Sequence, residues 1–196
     1  MKCIYENLKR ADEQLEVLIN RFGILEISPD KDVFNSIIYH IVGQMLSKKA
    51  AETIYLRLVS LVGEITPYNI VQFSIEQLRD IGLSYKKSDY VLNISRMVSN
   101  KELDLSILDK LDDTELIRTL TCIKGIGKWT AEMLALFTFG RLDIWCYDDV
   151  ALRNGITKAH PELSPLTKKS FDELGQKYKP YRSIASLYYY KNNDEK

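Results

Sequence analysis

Two helical patterns meet almost head to tail around Gly125-Ile126-Gly127, and this junction constrains the fold more than any other stretch. Before it, Leu116, Ile117 and Leu120 lie on one face of a short amphipathic helix over 114–121, with Asp112 or Asp113 available as its cap. After it, a helix restarts at Lys128 with apolar positions Trp129, Met133, Leu134, Leu136 and Phe137. Glycine tolerates positive φ and close backbone approach, so the segment 113–139 reads as a tight helical hairpin. Ile123 and Ile126 should point inward and lock its two helices, while Lys124 and Lys128 flank the turn with exposed positive charge.

Such a hairpin leaves backbone amides at the start of its second helix, backed by the positive end of the helix dipole, which is a ready anion site. An ordinary turn is the competing reading. Dinucleotide binding fits less well, because no β-run precedes the glycines and a third glycine is missing.

Helical periodicity extends over nearly the whole chain. It predicts a helix over 5–22 ended by Gly23, and a buried helix over 33–42. Ser47 should cap a helix running to Val62, with Gly63 as its stop. Thr66-Pro67 and Ser74 should start two more, the second with Gln77 completing a capping box. A longer helix follows over 85–100, then a short one from Ser106 and the hairpin. Residues 143–147 read as an extended connector. Asp148 is the expected cap of a helix through Gly155, Ser164-Pro165 should open a helix to Tyr178, and Pro180 the last one. The expected architecture is all-α, with 1–196 forming one unit of two helical lobes and a cleft between them. One lobe covers 30–105. The other covers 106–196, includes the hairpin and is completed by the helix over 5–22.

Lysine plus arginine and aspartate plus glutamate balance at 27 each, so any nucleic-acid footprint should be local. Lys177, Lys179, Arg182 and Lys191 supply a basic stretch without acidic residues from Gly175 to Lys191. Cys3, Cys122 and Cys146 fit neither a zinc nor an iron–sulfur spacing and suggest buried thiols in a reducing cytosol. No run is long and apolar enough for a signal peptide or a membrane span.

Asp148-Asp149 stands in an apolar and aromatic setting of Ile144, Trp145, Cys146, Tyr147, Val150 and Leu152. If Asp148 caps its helix, Asp149 is left to act elsewhere. An apolar wall around a carboxylate suits a group that stabilises a cation away from water, whereas two acidic residues at a helix start are also ordinary. Trp129 is either core or a stacking surface. The same choice applies to Tyr178, Tyr181, Tyr188, Tyr189 and Tyr190. Gln44, at a helix junction, either bridges backbone groups or probes the space left by a displaced base. His40 and His160 have no ligand-spaced partners and read as structural or exposed.

Several segments together resemble the helix-hairpin-helix superfamily of DNA glycosylases, and within it the bacterial 3-methyladenine DNA glycosylase II group. They are 34–51, 78–87, Ile123-Lys-Gly-Ile-Gly-Lys-Trp-Thr-Ala131, Tyr147-Asp-Asp149 and Tyr178-Lys-Pro-Tyr-Arg-Ser183, in the family's order. The resemblance implies a catalytic helical body without the N-terminal β-rich domain of larger members. It places the catalytic aspartate on Asp149, with Asp148 supporting, and the base pocket on Trp129, Tyr181 and Tyr147. It assigns DNA contacts to Gly125, Gly127, Lys124, Lys128, Thr130, Gln44 and Ser47. Backbone carbonyls of Thr121, Ile123 and Gly125 would hold a monovalent cation, with no other cofactor and no iron–sulfur cluster.

Strand-cutting relatives carry a lysine nucleophile where this chain has Trp129, and tryptophan cannot form a Schiff base. The resemblance therefore implies a monomeric, monofunctional enzyme releasing alkylated purines such as 3-methyladenine and 7-methylguanine from double-stranded DNA. Two alternatives stay open. One is a monofunctional glycosylase for another damaged or mismatched base, such as hypoxanthine, ethenoadenine or uracil. The other is a non-catalytic helix-hairpin-helix DNA-binding module.

Overall fold

Short polar side chains open most helices of the computed structural model, which describes residues 2–195. Helices α1 (Lys2–Ala11) and α2 (Glu13–Phe22) replace the single helix expected over 5–22. The cause is Asp12, whose carboxylate accepts from the Leu15 amide at 2.9 Å and so starts a new helix. Beyond Gly23 come α3 (Val33–Gly43) and α4 (Lys48–Val62), the latter capped by Ser47 and stopped by Gly63 as the sequence predicts. Thr66 and Pro67 open α5 (Pro67–Ile70), and Ser74 with Gln77 closes a capping box on α6 (Ile75–Asp80). Next are α7 (Tyr85–Ser99) and a 3-10 helix, Leu105–Lys110, begun by Asp104 rather than Ser106.

Asp112 caps α8 (Asp113–Thr121); α9 (Lys128–Met133) then widens into a π-helical turn, Leu134–Thr138. Hydrophobic periodicity does not separate that turn from the α-helix before it. The remaining helices are α10 (Val150–Ala159), α11 (Lys168–Lys177) and α12 (Arg182–Asp194). The predicted starts near Ser164 and Pro180 move downstream: Thr167 caps α11, and Tyr181 precedes α12. No strand occurs among the described residues, so the fold is all-α.

Packing groups the chain into two units, Asp30–Phe139 and residues 1–29 with 140–196. The hairpin thus packs with the unit that begins at Asp30, not with 140–196 as the expected lobes had it. Within Asp30–Phe139, α3 is the central element, set against α4, α7 and the π-helical turn. Its Ile37, Ile38, Ile41 and Val42 are fully buried. Ser36 and Thr138 join their hydroxyls at 2.6 Å across one of those contacts.

The other unit pairs α10 with α12, and α12 with α2. Gly155 permits the first pairing, because a Cβ there would stand 1.9 Å from the Tyr189 carbonyl oxygen. Tyr5, Leu15, Leu152, Phe171, Tyr178, Tyr188 and Tyr189 fill this core. The hydroxyls of Tyr178 and Tyr189 meet at 2.6 Å, and that of Tyr188 donates to Gly23 O at 2.8 Å. Three of the tyrosines weighed above are therefore packing residues with satisfied hydroxyls.

Candidate active site

The hairpin closes as its sequence demands. Ile126 donates to the Ile123 carbonyl at 3.0 Å, and both isoleucines are buried. Gly125 takes φ +94°, and a Cβ there would collide with the Tyr90 ring at 2.3 Å. Two constraints thus select glycine at this position. Gly127 differs: it has an extended φ of −83°, and a Cβ there would meet nothing within 4 Å. It caps α9 without a side chain, so the first-turn amides of α9 receive no side-chain acceptor from it.

Each hairpin lysine faces a carboxylate. Lys124 pairs with Asp89 at 2.7 Å, which raises its pKa, and Lys128 approaches Glu132 at 3.7 Å. Both ammonium groups remain largely exposed, so their positive charge is offset locally but still accessible. Thr130, predicted as a DNA contact, is buried and accepts from Gln44 Nε2 at 3.3 Å. Its side chain is thus engaged within the protein.

Gln44 donates from the same nitrogen to Gly125 O at 2.8 Å. Of its two sequence readings, the structure shows the backbone bridge. The turn carrying it is also held from α7, where Lys87 Nζ donates to Val42 O at 2.9 Å. Partial burial lowers the Lys87 pKa. Ser47 uses its hydroxyl to cap α4, accepting from Ala50 N at 3.3 Å.

Between Gln44 and Ser47 stands a residue that periodicity does not single out. Met45 is fully exposed at 101% and sits in left-handed backbone at φ 57°. A long apolar side chain in that conformation, held out from a turn pinned on both sides, needs an explanation. Its one signal in the sequence is its position: Met45 belongs to the apolar face of neither neighbouring helix.

The carboxylate pair lies in the other unit, at the end of a connector fastened to α12. Arg182 grips Asp143 through Nε–Oδ1 at 2.6 Å and Nη2–Oδ2 at 2.9 Å, a forked pairing. Ser183 adds two ties, donating its amide to Leu142 O and accepting from Ile144 N, each at 2.9 Å. The connector ends by delivering Asp149, not Asp148, to the α10 N-cap. Asp149 Oδ1 accepts from Leu152 N at 2.7 Å, and the residue is 6% exposed. Asp148 is exposed in the preceding turn and does not cap α10, so the cap expected at Asp148 falls to Asp149. The cap fixes the direction of a buried carboxylate, which is what an electrostatic catalyst requires.

The expected pocket aromatics fare differently. Trp129 is 38% exposed and is not core. Tyr181 is half-buried at the start of α12. Tyr147 is already engaged: Arg153 lies 5.2 Å and Lys168 5.3 Å from its ring centroid, and Phe171 packs edge-on. Two cations at this ring leave it a poor seat for a cationic base.

Cys3 and Cys122 are exposed and only Cys146 is buried, which corrects the expectation of three buried thiols. His160 is structural, with Nε2 3.1 Å from the Tyr189 hydroxyl and Nδ1 3.1 Å from Glu162. Burial lowers the His40 pKa to about 4. No helix among the described residues is long and apolar enough to cross a membrane.

The profile described as "HhH-GPD superfamily base excision DNA repair protein" matches residues 38–180. An alkylbase DNA glycosidase-like protein, mag2, of Schizosaccharomyces pombe is 30% identical over 190 residues, spanning 93% of this chain and 89% of its own length. The crystal structure of a DNA-3-methyladenine glycosidase from Bacillus halodurans superposes with a TM-score of 0.85 at 34% identity, covering 97% of this chain and 89% of that one. The 3-methyladenine DNA glycosylase Mag1 of Schizosaccharomyces pombe, solved in complex with abasic DNA, gives a TM-score of 0.85 at 31% identity, with 96% and 95% covered.

Proposed function

Because this chain belongs to the HhH-GPD superfamily of base excision DNA repair proteins, we propose that it is a monofunctional, monomeric DNA glycosylase releasing alkylated purines from double-stranded DNA. The observation that carries the reading is Asp149, a buried carboxylate whose direction is fixed by its own helix. Methylation at N3 or N7 of a purine places positive charge on the base, so the base leaves readily and needs little acid assistance. The nucleotide must first leave the stack, at a cost of a few kcal/mol. Stacking on Trp129 and Tyr181 offsets part of that cost and favours electron-poor bases. Met45, long, apolar and fully exposed, is suited to fill the vacated space in the duplex.

As the N-glycosidic bond breaks, its electron pair departs with the base and the sugar becomes cationic. Asp149 stabilises that cation and orients a water, whose oxygen bonds to C1′ while its proton passes to the carboxylate or to solvent. The products are free base and an intact strand with an abasic sugar. Trp129 offers no amine for a Schiff base, so strand cleavage by that route does not follow.

The hairpin grips one DNA phosphate through the α9 amides. The carbonyls of Thr121, Ile123 and Gly125 would hold a monovalent cation, which would add positive charge at that phosphate. Ile123 O and Gly125 O each accept one protein hydrogen bond, and each has a second lone pair. A set of duplexes with single defined lesions, scored for free base and abasic sites, tests the reading. Binding without release of any base from 3-methyladenine or 7-methylguanine duplexes would support the non-catalytic module.

A further inference from the structure

On α10, the guanidinium of Arg153 is met by an aromatic ring. Arg153 lies one helical turn beyond Asp149 on α10, and its amide donates to Asp149 O at 3.1 Å. Its side-chain Nε is buried without a hydrogen-bond partner. What it does meet is the Tyr147 ring, with its guanidinium carbon 5.2 Å from the centroid. Lys168 comes within 5.3 Å of the same centroid, and its ammonium pairs with Asp172 at the exposed surface.

A π face answers a guanidinium's charge only in part and takes none of its five hydrogens. A buried donor left unmet in a folded protein is uncommon and calls for an explanation, and a bound ligand is one. That partner must be an anion with several acceptor oxygens, because two cations gathered at one ring repel a positively charged base. A phosphodiester fits both the charge and the planar fork of arginine.

We propose that Arg153, with Lys168 beside it, binds a backbone phosphate of the DNA strand, a contact separate from the hairpin's and carried by the unit that holds Asp149. The proposal rests on the reading of the protein as a DNA glycosylase. It also removes Tyr147 from the base pocket and makes it the platform that orients the arginine.

The test is the salt dependence of binding to an undamaged duplex, where pocket contacts contribute nothing. For Arg153→Gln and Lys168→Gln, the slope of log affinity against log salt should become shallower by about 0.9 for each phosphate that is no longer neutralised. Arg153→Lys should keep the parent slope. A purely structural arginine could change the melting temperature but not this slope. Lys168 is exposed, so its variant folds whatever the fate of the arginine variant. A parent slope in either folded glutamine variant overturns the proposal. So does slowed base release with an unchanged slope, which would put Arg153 in the pocket. Base release by the parent on a lesion duplex is scored separately. A parent that binds duplex but releases no base refutes the glycosylase reading while leaving the phosphate contact measurable.

Discussion

The side-chain amide of Gln44 donates to the carbonyl of Gly125 at 2.8 Å, tying the turn between α3 and α4 to the helical hairpin. The tie makes Gln44 a strut and leaves its neighbour Met45 as the projecting group. Gln44→Ala should lower stability by about 1 kcal/mol, the net worth of a typical hydrogen bond, and weaken binding to damaged and undamaged duplexes together. Met45→Ala should leave the unfolding midpoint unchanged, since the side chain is fully exposed, and should slow base release. Parent-like release by Met45→Ala would remove it from the duplex.

The two hairpin glycines should separate folding from binding. Gly125→Ala meets both positive φ and the Tyr90 ring, so its melting temperature should fall clearly. Gly127→Ala meets no protein atom and should melt like the parent, while losing affinity for damaged and undamaged DNA because the new methyl blocks a phosphate. Anisotropy titrations of both duplexes check this. A loss confined to damaged DNA would assign Gly127 to the base pocket.

How much of this was legible in the sequence follows from how local each signal is. Ser47, Thr66, Ser74 and Asp112 cap where a short polar side chain precedes an apolar repeat, because capping is decided within one turn. Asp148 and Asp149 could not be told apart that way. Either satisfies the same local rule, and Arg182 and Ser183, distant in sequence, set where the connector ends. The capping capacity of Asp12 is hidden because the apolar repeat continues past it. Met45 and the two cations at Tyr147 depend on tertiary placement, which periodicity does not carry.

Acid should destabilise the protein through His40. Burial holds its folded pKa at about 4, below the ordinary value of 6.5. Between those values the unfolded chain binds a proton that the native state does not, so stability is full above about pH 6.5 and is lost as pH falls towards 4. Urea unfolding across that window should show a loss smaller by about 3 kcal/mol in His40→Gln than in the parent. Identical pH profiles would contradict the assignment.

Trp129 and Tyr181 should matter more for cationic than for neutral bases. Alanine at either site should slow release of 7-methylguanine more than release of hypoxanthine, with each stacking contact worth about 1–3 kcal/mol. Borohydride should trap no enzyme–DNA adduct with the parent. Equal effects on both lesions would refute the stacking role, and a trapped adduct would refute hydrolysis without lyase chemistry.

The most direct test of the account is base release by Asp149→Asn, with Asp149→Ala and Asp148→Ala as stability references. Asparagine can still cap α10, so the first variant should fold nearly as well as the parent, whereas alanine at 149 should cost about 0.5–2 kcal/mol. Alanine at the exposed Asp148 should stay within about 0.5 kcal/mol of the parent. On a 7-methylguanine duplex, single-turnover release by Asp149→Asn should fall by about two orders of magnitude or more, the scale of a lost transition-state charge partner, with DNA affinity largely kept. Near-parent release by this folded variant would contradict the central claim that Asp149 stabilises the sugar cation.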